Sequence, residues 1–263
     1  MIVTLLTDYG LDDEFVGVCH GVIRRAAPDV PIVDITHGVT RHAVREGALV
    51  LRNSLPYMPA GVHVAVVDPQ VGTERRAVAV RCAEEDRVLV GPDNGVLSLA
   101  WQRFGGAVEA VDVSRSPHRL EPLSATFHGR DLFAPVGAAL AAGAPFAEAG
   151  EPLDPAELEA LSLPEPRHDG SVLVAHALTI DGYGNVGLNV AHSDAMAAGI
   201  RLGGRVDVGG HDALVVQTFA DVQPGDLLLY EDAWRTLALA INRGDAAERL
   251  GLKVDDEVRI SAA

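Results

Sequence analysis

The sequence is short of positive charge, of cysteine and of long apolar runs. Its 263 residues carry 21 lysines and arginines against 37 aspartates and glutamates, a formal net charge of −16. A nucleic-acid binder presents a basic face, so this balance argues against that class of partner and reads most simply as solubility. The two cysteines, Cys19 and Cys82, fall in different predicted elements without metal-ligand spacing. They read as buried thiols of a reducing compartment, and a cytoplasmic location is expected. Met1–Gly10 has no basic start, and no stretch is long and apolar enough to span a bilayer. Neither a signal peptide nor a membrane segment is therefore expected. The GxGxxG and Walker A phosphate loops are missing, so a bound nucleoside would carry no polyphosphate. HExxH, paired HxH and Cys/His clusters are missing too. His37 and His42 then suggest no catalytic metal, and no cofactor is expected.

What is present is concentrated in His63–Arg76, HVAVVDPQVGTERR. His63–Val67 reads as a buried parallel strand that ends in an acid, Asp68, followed by Pro69 and a glycine-containing turn. Ligands of open α/β sheets sit beyond the carboxyl ends of the strands, which is where this carboxylate falls. Arg75, seven residues on, can fold back onto it. Thr7-Asp8-Tyr9-Gly10 follows the first strand in the same way. Asp8 is placed either to accept from a ribose diol or to belong to a helix-capping loop with Asp12 and Asp13. His128, beside a glycine at a helix start, faces a cleft or is a satisfied structural histidine. Asp181 and Asn185, with Asn189 beyond, mark a polar ligand edge or an Asx turn. Tyr230 and the Arg243–Ala247 stretch are individually weak signals of the same kind.

The first part alternates between strand and helix. Strands are expected at Ile2–Leu6, Ile32–Ile35, His63–Val67, Ala77–Cys82, Arg87–Val90 and Val108–Val113. Helices are expected at Glu14–Ala26, Val44–Leu55, Val96–Phe104 and Asp131–Ala142. This pattern predicts an α/β domain with a mostly parallel sheet over residues 1–145. Residues 146–169 are proline-rich and read as a linker, with a short helix at Ala156–Leu161 behind an Asp154 cap and Pro155. From residue 170 to 263 the pattern changes to short strands and glycine-rich turns, at Ser171–Ile180, Arg205–Val208, Ala213–Thr218, Asp226–Tyr230, Thr236–Asn242 and Glu257–Ser261. A smaller, all-β, barrel-like domain follows from that pattern.

Seven stretches in this order resemble the S-adenosyl-L-methionine (SAM) hydroxide adenosyltransferases, the SAM hydrolases related to bacterial fluorinase and chlorinase. They are TDYG at Thr7–Gly10, REGA at Arg45–Ala48, HVAVVDPQVGTERR, GPDNGVL at Gly91–Leu97, FHGRDLFAP at Phe127–Pro135, DGYGN at Asp181–Asn185 and LALAINRGDAAERLGL at Leu237–Leu252. Together they span nearly the whole chain. The resemblance implies an α/β domain followed by a β-barrel, and a homotrimer whose active sites join one subunit's first domain to a neighbour's second. It implies hydrolysis of SAM to adenosine and L-methionine, without a metal, by a triad of Asp68, Arg75 and His128. Asp8 then holds the ribose hydroxyls, and Asp181 and Asn185 hold the methionine end and the adenine side. Tyr230, Arg243 and Ala247 fall in the substrate-binding stretch.

The halogenating relatives carry tyrosines at the positions of Asp68 and His128, and the fluorinase offers hydroxyls where Val71 and Gly129 stand here. Three departures from the hydrolase pattern stand out, at Gln70, Ala233 and Arg235. The competing readings are a halide-using adenosyltransferase, a non-catalytic adenosine- or SAM-binding module with the triad as an ion pair, and a metal-dependent hydrolase.

Overall fold

The computed structural model describes residues 1–262. The chain divides into two compact units, Met1–Leu161 and Ser162–Ala263. Residues up to Leu161 of the expected linker thus fall in the first unit.

The first unit runs β1 (Ile2–Thr7), α1 (Phe15–Ala26), β2 (Ile32–Thr36), α2 (Val44–Ser54), β3 (Gly61–Val66), β4 (Ala77–Cys82), β5 (Val88–Pro92), α3 (Ser98–Arg103), β6 (Ala107–Asp112), α4 (Ala134–Ala141) and β7 (Glu151–Leu153). Its strands form one sheet in the order β2-β1-β3-β5-β4-β6-β7. Every residue of β3 is buried. Val62, Val64 and Val66 join one core cluster with Ile23 of α1 and Val136 of α4, while Ala65 and Val67 join another with Leu51 of α2 and Leu97. Covering on both faces explains the continuous apolar run of this strand.

The sheet is mixed, which corrects the expectation of a mostly parallel one. β2, β1, β3 and β5 pair in parallel, but β4 is antiparallel to both β5 and β6, and β7 is antiparallel to β6. The cause is legible in the spacing. Residues 83–87 between β4 and β5 are too few for a parallel crossover, which takes a dozen or more, so the pair closes as a hairpin. The helix expected at Ala156–Leu161 is also corrected. Asp154 does cap Ala156 N–H at 2.9 Å, but the turn ends at Glu157 and the chain then extends.

The second unit contains β8 (Arg167–Asp169), β9 (Val172–Ile180), β10 (Val186–Ala191), α5 (His192–Ala197), β11 (Arg205–Val208), β12 (His211–Val215), β13 (Leu227–Glu231), β14 (Thr236–Ile241), α6 (Ala246–Leu250) and β15 (Glu257–Ala262). Hydrogen bonding runs β10-β14-β13-β12-β11-β15-β9 and returns from β9 to β10, closing a seven-stranded barrel with β8 attached to β9. Closure removes the sheet edges, and inward residues such as Leu173, Leu188, Val206, Leu229 and Leu239 fill the interior. No helix among the described residues is long and apolar enough to cross a membrane.

Candidate active site

The carboxyl ends of β1 and β3 and the start of the helical segment that leads into α4 converge on a cleft of about 340 Å³. Asp8, Tyr9, Phe15, His42, Asp68, Val71, His128 and Gly129 are among the residues that line it. Asp68 stands just beyond β3. The chain then reverses through two turns, with Val71 N–H on the Asp68 carbonyl at 3.3 Å and Thr73 N–H on the Gln70 carbonyl at 3.1 Å. Gly72 makes the second turn possible: its φ is +79°, and a Cβ there would overlap the Ala125 carbonyl oxygen. The loop is thereby pressed against the segment that leads into His128, and Arg75 comes back over Asp68.

The Arg75 guanidinium donates through Nε to both Asp68 oxygens, at 3.0 and 3.1 Å, and its Nη2 makes a further short bond to Oδ2. The same Nη2 lies 2.8 Å from His128 Nδ1. Both charged side chains are about 5% exposed, and the guanidinium also packs over the Phe133 ring at 5.3 Å. Because arginine only donates, Nδ1 of His128 must accept, and the neutral ring then carries its proton on Nε2. Burial, and next the Arg75 charge, hold the His128 pKa below its usual value, which favours that neutral form.

His128 precedes a wide, π-type turn at Gly129–Phe133 that continues as α4. Pro135 lacks the N–H that would bond back to the Asp131 carbonyl; that oxygen accepts instead from Leu120 N–H at 2.7 Å. Widened turns of this kind recur at functional sites. Asp131 itself is buried. It accepts from Ser124 N–H at 2.8 Å and from Arg130 Nε at 2.6 Å, and the fixed loop delivers His128 to the cleft.

Asp8 reaches the same cleft from β1. Its Oδ2 accepts the His42 N–H at 2.9 Å. Tyr9, beside it, was not singled out by the sequence reading, although it lies inside the TDYG motif. Its ring meets Phe15 and Phe127 edge-on, at 5.9 and 5.8 Å. Its hydroxyl occupies the space that a Cβ on Gly129 would need. Burial, above all, pushes the Tyr9 phenol well above its ordinary pKa, so it stays protonated.

Gln70 does not enter this cleft. It lines a neighbouring depression with Glu74, Arg76 and Asp93. The positive φ of the loop falls at Gly72 rather than at position 70, so a side chain is tolerated there.

In the second unit, Asp181, Asn185, Tyr230 and Arg243 line one largely apolar basin with Phe219, Ala233 and the exposed Tyr183. Asp181 Oδ1 accepts from Tyr183 N–H at 2.9 Å and Asn185 N–H at 3.0 Å, while Oδ2 accepts the Asn185 amide at 2.8 Å. The Asx turn is therefore real, and it also fixes the Asn185 side chain at the basin rim. Burial, then Asp181 and Asp232, raise the Tyr230 pKa to about 12. Ala247 is not part of the basin lining. It is buried in α6, with its N–H on the Gly184 carbonyl at 3.0 Å. Arg235 is engaged by Glu231 at 2.8 Å. Asn189 lies within β10, not in a turn; its amide supports His176 N–H at 2.7 Å and the Pro164 carbonyl at 2.8 Å.

Known proteins align with both units. Residues 3–150 match the SAM hydroxide adenosyltransferase N-terminal domain, and residues 175–259 match the corresponding C-terminal domain. An (R)-S-adenosyl-L-methionine hydrolase of Salinispora tropica is 45% identical over 260 residues, covering 99% of this chain and 97% of that protein. A fluorinase of an Actinoplanes species is 31% identical over 295 residues, covering 100% and 98% respectively. The crystal structure of an uncharacterized conserved protein from Thermotoga maritima superposes with a TM-score of 0.90 at 35% identity, covering 99% of this chain and all of that one.

Proposed function

This chain belongs to the SAM hydroxide adenosyltransferase family, and from that premise we propose that it hydrolyses S-adenosyl-L-methionine to adenosine and L-methionine at the Asp68–Arg75–His128 cleft. The observation that carries the reading is the pair of bonds that Arg75 makes, to the Asp68 carboxylate and to His128 Nδ1. It leaves an acceptor (the carboxylate) and a donor (His128 Nε2–H) on residues that line one cleft. A water between them gives a hydrogen to Asp68 and receives one from His128, which holds its oxygen for attack at C5′ of the substrate. The C5′–S bond breaks as the C5′–O bond forms, the electron pair leaves with sulfur, and a proton is released. The leaving group is a neutral thioether, so it needs no general acid. No metal takes part in this scheme.

Asp8 Oδ1 accepts from the ribose hydroxyls. The aromatic walls of the second basin, Phe219 and Tyr230, suit a flat purine, and Asp181, Asn185 and Arg243 supply its polar rim. We place that basin against the cleft of a neighbouring copy in a homotrimer. Light scattering should then return the mass of three copies of the 27.6-kDa chain; a monomer mass with full activity would refute this arrangement. Val71 and Gly129 bring no hydroxyl to a halide, which supports water as the nucleophile.

The test is to incubate chelator-treated protein with SAM, without and with chloride, and to resolve the nucleosides by chromatography. Wild type should form adenosine in both, and Asp68→Asn and His128→Ala should each lose about 10²–10⁴ in kcat. A 5′-halo-adenosine product, loss of turnover on chelation, or undiminished activity in both variants would overturn the reading.

A further inference from the structure

Away from the cleft, three side chains from successive parts of the first unit converge: His20 on α1, Asp34 on β2 and His37 just after β2. His20 Nε2 lies 2.8 Å from Asp34 Oδ1, and His37 Nε2 lies 3.1 Å from the same oxygen. One ligand-capable atom of each falls within 4.8 Å of the other two. The His37 side chain is 3% exposed, yet its Nε2 has no hydrogen-bond partner. The approach to Asp34 is close in distance and wrong in angle for a hydrogen bond. The other ring nitrogen, Nδ1, is held 2.8 Å from Thr7 Oγ1. A buried imidazole secured through one nitrogen, with the other unpartnered and close to a carboxylate oxygen and a second imidazole, is the arrangement that outer partners impose on metal-ligating histidines. If Nδ1 donates to Thr7, the unprotonated Nε2 lies 3.1 Å from a carboxylate oxygen, a repulsion that a cation bound to both removes.

We propose that His20, Asp34 and His37 bind a divalent transition metal of the zinc class. Two imidazoles and one carboxylate form a donor set of borderline softness that suits Zn²⁺ or Co²⁺ better than Mg²⁺ or Ca²⁺. The His20 and Asp34 side chains are 35% and 37% exposed, so the ion enters from solvent and water completes its coordination. None of the three residues lines the catalytic cleft, and the site does not depend on the hydrolase reading. Its effect is positional. The His37 carbonyl accepts Gly10 N–H at 2.8 Å, and Thr7 Oγ1 accepts Tyr9 N–H at 3.2 Å. An ion on His37 therefore clamps α1 to β2 and stiffens the loop that carries Asp8 and Tyr9.

Titration of the chelator-stripped full-length chain with Co²⁺, followed in the visible d–d bands, tests this. One saturable Co²⁺ per chain is expected, displaced by Zn²⁺. Zn²⁺ at a hundredfold excess over its Kd should raise the Tm by about 5–10 °C. His20→Ala and Asp34→Asn, at partly exposed positions and checked for folding by circular dichroism, should lose both the bands and the Tm shift. His168→Ala, on exposed β8, should keep them. Absence of saturable Co²⁺ binding to wild type, or unchanged binding in folded His20→Ala and Asp34→Asn, overturns the proposal.

Discussion

Gly129→Ala adds one methyl group at the floor of the cleft, and the structure fixes what it meets. The new Cβ would overlap the Tyr9 hydroxyl and stand 3.0 Å from Cζ and 3.2 Å from Cε2 of that ring. The ring has little room to retreat. It is edge-on to Phe15 and Phe127, whose own rings lie 5.1 Å apart. Overpacking of this kind costs about 1–3 kcal/mol, and opening an aromatic pair about 0.5–1.5 kcal/mol more. Against this, replacing a glycine in helical backbone returns about 0.5–1 kcal/mol. The balance is a loss of about 2 kcal/mol, or roughly 4–8 °C in Tm for a chain of this size. Tyr9→Phe removes the overlapping oxygen and leaves two tight contacts that a shift of a few tenths of an ångström relieves. Gly129→Ala should therefore cost at least about 1 kcal/mol less in the Tyr9→Phe background. Thermal unfolding of the four proteins measures this coupling. Additive Tm changes would show that the hydroxyl does not exclude a side chain at position 129, and would remove this reason for the missing hydroxyl there.

Three further outcomes follow from the same geometry. Gly72→Ala combines a φ of +79° with overlap on the Ala125 carbonyl; it should lower the Tm and reduce kcat by separating Arg75 from His128, and wild-type kcat would refute that role for the loop. Arg75→Lys keeps the charge but cannot serve Asp68 and His128 through one rigid fork, so kcat should fall at least tenfold with KM little changed, while an unchanged kcat would reduce the arginine to a counter-charge. His63 is completely buried between Thr4 Oγ1 at 3.0 Å and Arg87 Nη1 at 3.1 Å, and burial, then Arg87, lower its pKa from 6.5 to about 3. The unfolded chain takes up this proton first, so the neutral native histidine contributes stability that is complete above about pH 6.5 and falls by about 1.4 kcal/mol per unit down to about pH 3. The difference in urea midpoint between wild type and His63→Gln should be constant above about pH 6.5 and shift steadily against wild type as the pH falls toward 3; a difference independent of pH would refute a buried neutral His63.

The parts of the site that a single segment builds were the parts legible in the sequence. Asp68 and Arg75 share one strand-end loop, and its one indispensable glycine, Gly72, stands between them. Asp8 was legible as a strand-end acid for the same reason, although the bond from the distant His42 N–H to its Oδ2 was not. The partnership of Arg75 with His128 spans 53 residues and has no local signal. It depends on Gly72 lying against Ala125, a contact set by tertiary packing. Tyr9 was missed because its role follows from the absence of a side chain 120 positions later. The mixed sheet has one clue in the sequence, the five-residue link between β4 and β5, which the strand–helix alternation on either side masks. β10 was obscured by Asn185 and Asn189, because asparagine is poor in strands; here the Asn189 amide bonds two backbone groups within the second unit. His20, Asp34 and His37 follow no contiguous ligand motif, since helix, edge strand and loop each supply one group.

The choice between water and halide turns on where the positive charge of the cleft is spent. A halide is an anion without hydrogens to give, so its site needs donors or cations that are otherwise unengaged. Arg41 lines the cleft at an exposed position, whereas Arg75, which is bonded to Asp68, has its Nε and Nη2 occupied by Asp68 and by His128 Nδ1. Asp68 and Asp8 add negative charge to the same lining. A halide beside Asp68 would meet a carboxylate already paired with Arg75, at side chains about 5% exposed, where such repulsion is weakly screened. Water meets the same two residues as an acceptor on one side and, through Nε2–H, a donor on the other. Position 129 closes the remaining route, because the Tyr9 hydroxyl fills the space in which a serine would present an additional donor. Beside Asp68, one ion pair and one glycine thus favour a neutral nucleophile that must lose a proton over an anion that has none.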